Sequence, residues 1–138
     1  MKTRIFIFEG IVQAFIGIGA VIYGPLLIID PSGGKAAMPV ELLSGSPFSN
    51  YLIPGILLFL INGVGHIAGS FLSFTKNNHA GYAGILLGSA LIIWIIVQVI
   101  LIGYANWLQP FYLTLGILEL VLSIAVYKQI KSIKNAGM

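Results

Sequence analysis

The chain has 138 residues, of which 58% are hydrophobic and only 8% charged, with a formal net charge of +3 and no cysteine. Soluble domains carry about a quarter charged residues, and a soluble fold this small has too much surface to cover with so few charges, so the composition excludes an ordinary water-soluble domain. The lack of cysteine excludes disulfides, thiolate metal sites and cysteine nucleophiles, and the scattered basic residues do not form a nucleic-acid surface.

A helix needs about 20 predominantly apolar residues to cross the hydrocarbon core. Four stretches reach that length, at residues 5–29, 51–74, 81–103 and 108–127. The expected fold is therefore all-α: a polytopic membrane protein, a single four-transmembrane-helix domain over residues 1–138. The first stretch follows Lys2 and Arg4, as a signal peptide would. Its length, the internal Glu9 and Gln13, and the lack of a small-x-small cleavage site favour a retained span. The segments "DPSGGK", "TKNNH" and "YANWLQP" separate the spans and have turn composition. The third span, "ILLGSALIIWIIVQVILIG", carries no charge.

The one long connection covers residues 30–50. Pro39 followed by "VELL" predicts a short amphipathic turn on the membrane surface. Ser46 and Pro47 have the chemistry of an N-cap and first helical position, and Pro54 kinks the second span or marks its start. The segment reads as a capped loop on the bundle rim, or as a lid over an outward-opening site. "DPSGGK" lacks the spacing of a phosphate loop and reads as a turn.

Lys2, Arg4, Lys76, Lys128, Lys131 and Lys134 fall on one side of a four-span arrangement and Lys35 on the other. By the positive-inside rule both termini and the "TKNNHA" loop are cytoplasmic. Tyr23, Phe48, Tyr51, Tyr104, Trp107, Phe111 and Tyr112 then ring the outer interface. The tail "KQIKSIKNAG" suits contact with anionic headgroups. Heavy use of Ile, Lys and Asn fits a bacterial source, hence the bacterial plasma membrane.

Each span presents one small or polar face at helical spacing. Span one offers Glu9, Gln13 and Ala20 with Gly10, Gly17 and Gly24; span two offers Gly55, Asn62, His66, Gly69 and Ser73. Span three offers Gly84, Gly88 and Gln98; span four offers Gly116, Glu119 and Ser123. Gly65-x-x-x-Gly69 and Gly84-x-x-x-Gly88 match the small-xxx-small pattern that lets membrane helices pack closely.

The ionisable residues within the spans carry the functional question. At about 1.5 Å of rise per residue, His66, Glu119 and Gln13 fall at one depth, with Glu9 just nearer the cytoplasm and Asn62 one turn outward. Two readings follow. In one, His66 bonds to Glu119 or Glu9 and the cluster is polar glue that orders the helices. In the other it is a proton-linked or ligand site, because histidine beside carboxylates titrates near neutral pH and ionisable residues in spans are functional candidates. Glu9 also lies near enough to a helix end to reach water. Metal or haem ligation is the least supported, since His79 lies in a loop far from His66 and no ligand spacing appears. Trp94 and Gln98 form a second, outer polar and aromatic pair, with Trp94 expected inside the bundle or against a ligand.

The order of "DPSG", "MPVELLSGSPFSNYLIPG", "LIIWIIVQV" and "NWLQPFYLTLGILEL" resembles a family of small bacterial four-span membrane proteins with no assigned function. The resemblance touches the outer loop and three spans and implies no activity. No catalytic motif, phosphate loop or dinucleotide fingerprint is present, so neither an enzyme nor a cofactor is expected. The leading expectation is a structural or accessory subunit in contact with lipid, as a homo-oligomer or in a larger complex. The alternative is a small proton-linked transporter, channel or sensor.

Overall fold

The computed structural model describes residues 3–136; Lys2, counted above among the charges of one side, lies outside them. Four long helices follow in order: α1 (Thr3–Ile29), α2 (Leu52–Phe74), α3 (Ala80–Ile102) and α4 (Leu108–Ala136). Each is long and apolar enough to cross a membrane, and the chain is an all-α four-helix bundle of the multi-pass membrane type. Helices suit that setting because every backbone N–H and C=O must find its partner within the segment. Large apolar side chains such as Ile18, Phe71, Ile100 and Val121 stand on the outer surface, where lipid would meet them.

Glycines set the register of the helices. A Cβ on Gly24 of α1 would lie 2.9 Å from Phe59 Cα of α2, and one on Gly17 would lie 3.0 Å from the Ile67 nitrogen. In the second hairpin a Cβ on Gly81 would lie 2.6 Å from Tyr127 Cα. These approaches run α1 antiparallel to α2 and α3 antiparallel to α4. Thr3, Ala136 and the 75–79 loop therefore share one end of the bundle. Gly65 and Gly69 have a different use from the backbone contact that their spacing suggests. The Leu87 side chain of α3 fills the notch they leave, and Gly69 also faces Gln13.

Helix α2 is not regular. Its middle, Leu58–Gly65, is π-helical, between α-helical Leu52–Leu57 and His66–Phe74. The wide turn carries Asn62 and ends where His66 begins. Such turns are rare and occur often at functional sites.

Several boundaries differ from the sequence expectation. Ser46 does not cap a helix; its hydroxyl accepts from the Phe48 N–H in a local turn, and α2 starts only at Leu52. Pro54 accordingly sits in the first turn, where its missing N–H costs no helical bond. Tyr51 is buried rather than part of an interfacial ring. Its hydroxyl donates to the Pro39 carbonyl at 2.8 Å, and its N–H donates to Pro31 O. Helix α4 continues nine residues past Tyr127, because the charged tail retains helical propensity and only loses apolarity. At about 43 Å it is longer than the roughly 30 Å hydrocarbon core.

The core is layered. Phe6, Ala80, Val126 and Ile130 pack at the end bearing Thr3 and Ala136. Ile16, Leu91 and Ile95 pack in the other half, with Trp94 and Tyr112 against them. Leu27, Ala36, Leu43 and Tyr51 close the far end beneath the outer loop. Between the first and third of these layers runs a polar column. The expected turn at Val40–Leu43 forms, as a short 3₁₀ segment whose Leu43 seals the far layer. This arrangement ties the loop to the rim.

Candidate intramembrane polar site

Five polar side chains from three helices are almost entirely removed from solvent: Glu9, Gln13, His66 and Glu119 at 0% exposure and Asn62 at 1%. His66 Nε2 lies 2.8 Å from Glu119 Oε1. While Glu119 is the acceptor the imidazole Nε2–H donates; a protonated Glu119 can donate to Nε2 instead. Glu119, not Glu9, is thus the direct partner of His66.

Glu9 is held instead by the Ser123 hydroxyl, which donates to Glu9 Oε1. Ser123 lies four residues along α4 from Glu119, so one helix face serves both acids. Room for the contact comes from Gly84 of α3, where any Cβ would collide with both Glu9 Oε1 and Ser123 Oγ. Gln13 Oε1 accepts from the Ser73 hydroxyl at 2.7 Å, and the Ser70 hydroxyl donates to the Gly10 carbonyl at 3.0 Å.

Gln13 therefore pairs two turns nearer the terminal end of α2 than His66, not level with it as depth counting suggests. The cause is the glycine register: seating Gly17 against Gly63 and Ile67 aligns Gly10 and Gln13 with the segment from Gly69 to Phe74. The polar residues form a column about three turns tall, from Glu9 to Asn62, whose neighbour Gly63 meets Val21, rather than a ring. Helix α3 lines it with Gly84 and Leu87.

After these bonds are counted, five buried atoms of the column have no hydrogen-bond partner among the described residues. They are Glu9 Oε2, Gln13 Nε2, Asn62 Oδ1, His66 Nδ1 and Glu119 Oε2. A sixth such atom, Gln129 Nε2, belongs to the terminal end of α4 and not to the column. Through Ser123 and Glu119 the two acids meet α4 one turn apart. Among the described residues no group of three acidic, histidine or cysteine side chains is arranged to hold a metal ion.

The outer pair resolves differently. Gln98 Oε1 accepts from Gln109 Nε2 at 3.2 Å, the same nitrogen donates to Gly103 O, and Gln109 Oε1 accepts from the Ala105 N–H. Gln98 thus belongs to a lock on the α3–α4 connection, and Trp94 packs partly buried against the apolar Ile16 layer. The two are not brought into a common site.

Sequence reasoning did not single out Ser70 or Gln109. Ser70 could have been found by its spacing, four residues from His66 on the same helical face. Gln109 precedes Pro110 at a helix start and carried no such signal. Two open depressions, one beside Thr3, Arg4, Ile5 and Phe8 and one along the outer loop at Val40–Ser49, contain no residue of the column. Comparison with family models, curated proteins and solved structures finds no match to this chain.

Proposed function

We propose that this chain is a small proton-linked membrane protein, a transporter or channel subunit or a pH sensor, that works through Glu9, His66 and Glu119. The observation that carries this is the set of five unpartnered buried atoms along one column. Each unsatisfied buried polar group costs about 1–3 kcal/mol, so five cost on the order of 5–15 kcal/mol. That is comparable to the whole net stability of a typical domain, about 5–15 kcal/mol. Polar glue has no use for such a cost, since a half-satisfied network is worse than an apolar core. A column that admits water or exchanges protons does have a use for unpartnered polar atoms.

A structural or accessory role is the second reading, favoured by the direct inter-helix bonds from Ser73 to Gln13, from Ser70 to Gly10 and from His66 to Glu119. Either role fits a bacterial plasma membrane with both termini cytoplasmic, the side on which Arg4, Lys76, Lys128, Lys131 and Lys134 cluster. One four-span chain encloses little space, so a conducting path forms more readily between copies in an oligomer.

The test is purified protein reconstituted in vesicles with an entrapped pH-sensitive dye. A pH step should drive a change in the wild type that is lost in His66→Ala and Glu119→Gln while both still fold. Equal traces from wild type, variants and empty vesicles would leave the structural role.

A further inference from the structure

We infer that the column from Asn62 to Glu9 binds internal water and holds a mobile proton shared among Glu9, His66 and Glu119. This rests on the proton-linked function proposed above and names its ligand.

The groups facing the column are Glu9 and Gln13 from α1; Asn62, His66, Ser70 and Ser73 from α2; and Glu119 and Ser123 from α4. Helix α3 supplies Gly84 and Leu87. Among the described residues no fixed cation enters: Arg4, Lys76 and Lys128 are exposed at the terminal end. The column therefore has three titratable sites, two acidic and one basic. It is neutral only when two protons are distributed over those three sites. Both can sit on the carboxyls, or one on a carboxyl and one on the imidazole. One site is always open, so a proton can move between them without changing the buried charge. Loss of a proton leaves one uncompensated negative charge, which burial strongly disfavours unless water solvates it.

The hydrogen-bonding pattern points to the same guest. With both protons on the carboxyls, His66 Nδ1 is an acceptor and Glu9 and Glu119 are donors; with one on the imidazole, Nδ1–H is a donor and one carboxylate is an acceptor. Asn62 Oδ1 stays an acceptor and Gln13 Nε2 a donor throughout. Such a set needs a small guest that both donates and accepts. Water does both. Buried waters typically make about three hydrogen bonds to otherwise unsatisfied groups. The Phe6 layer lies beyond the Glu9 end of the column and the Leu27 layer beyond the Asn62 end.

Infrared difference spectra of the full chain in lipid vesicles, between buffers at about pH 9 and about pH 6 made in H₂O and in D₂O, test this without requiring flux; that range lies above ordinary exposed carboxyls, so those outside the column add no band. A carboxylic-acid C=O band should grow on acidification and shift in D₂O. It should weaken in Glu9→Gln and in Glu119→Gln and vanish in the double variant. Ser123→Ala keeps every ionisable group and should move the Glu9 component without removing it, which guards against loss of fold in the acid variants. A band that does not respond to pH, does not shift in D₂O, or survives the double variant overturns the inference. A titrating band in vesicles that show no pH-driven response would overturn the proposed function and leave this inference standing. A pH-driven response with no titrating band would do the reverse.

Discussion

His66 Nε2 and Glu119 Oε1 lie 2.8 Å apart across the α2–α4 contact, 53 residues apart in the chain, with neither residue exposed at all. The replacement chosen for Glu119 should decide the outcome. Glu119→Gln keeps an oxygen acceptor opposite the Nε2–H and should unfold close to wild type. Glu119→Ala strands the donor and should cost about 1–3 kcal/mol. Thermal unfolding in one detergent measures both. Equal losses would mean that the pair is not held as described.

Gly84 makes the Glu9–Ser123 contact possible, and its neighbour Gly88 serves as a control. A Cβ at Gly84 meets both polar oxygens, whereas one at Gly88 comes no nearer than 3.1 Å to Leu120 N. Gly84→Ala should therefore destabilise more than Gly88→Ala, by about 1–3 kcal/mol, the usual cost of overpacking. Unfolding midpoints that rank the two in the opposite order would contradict the geometry.

The spans and their small faces were legible in the sequence because a 3.6-residue period survives in composition: Gly10, Gly17 and Gly24 fall on one face of α1, and Asn62, His66 and Ser73 on one face of α2. The vertical register was not. It depends on which glycine meets which backbone, and the seating of Gly17 on Gly63 moved Gln13 from His66 to Ser73. The π-helical turn at Leu58–Gly65 leaves no mark in a pattern of apolar residues. Tyr51 has the composition of an interfacial aromatic, and only the fold of the loop reveals that its hydroxyl is needed at Pro39.

The outer loop supplies a prediction about acid. The Ser32 hydroxyl donates to the Asp30 carboxylate at 2.6 Å and holds it below its ordinary value of 3.8, with help from the Lys35 N–H. A depressed folded value stabilises the turn above about pH 3.8, and that contribution is lost as pH falls through the lower folded value. Asp30 is part-exposed in a surface turn, so the effect is local to the turn. Hydrogen exchange at the Lys35 amide should accelerate in acid, and Ser32→Ala should move that transition upward toward pH 3.8. An unchanged transition would remove Ser32 from the account.

Tyr51→Phe removes the bond to Pro39 while keeping the ring in the far apolar layer, and should cost about 0.5–1.5 kcal/mol. Proteolysis across residues 30–50 should quicken with it. If cleavage there is unchanged, the hydroxyl does not anchor the loop.

Topology can be read with single cysteines, since the chain has none of its own. Lys35→Cys and Asn78→Cys stand at opposite ends of the bundle. In intact cells an impermeant thiol reagent should label position 35 and spare position 78. Labelling of position 78 alone would invert the orientation, and with it the side from which protons reach Glu9.

The central claim is that the column from Glu9 to Asn62 is an ionisable, hydrated site and not a dry polar lock. An experimental structure in lipid that resolves ordered water tests it most directly. The account predicts water within hydrogen-bond distance of at least two of Glu9 Oε2, Gln13 Nε2, Asn62 Oδ1, His66 Nδ1 and Glu119 Oε2. A column without water, in which all five atoms are bonded to protein groups, would contradict it.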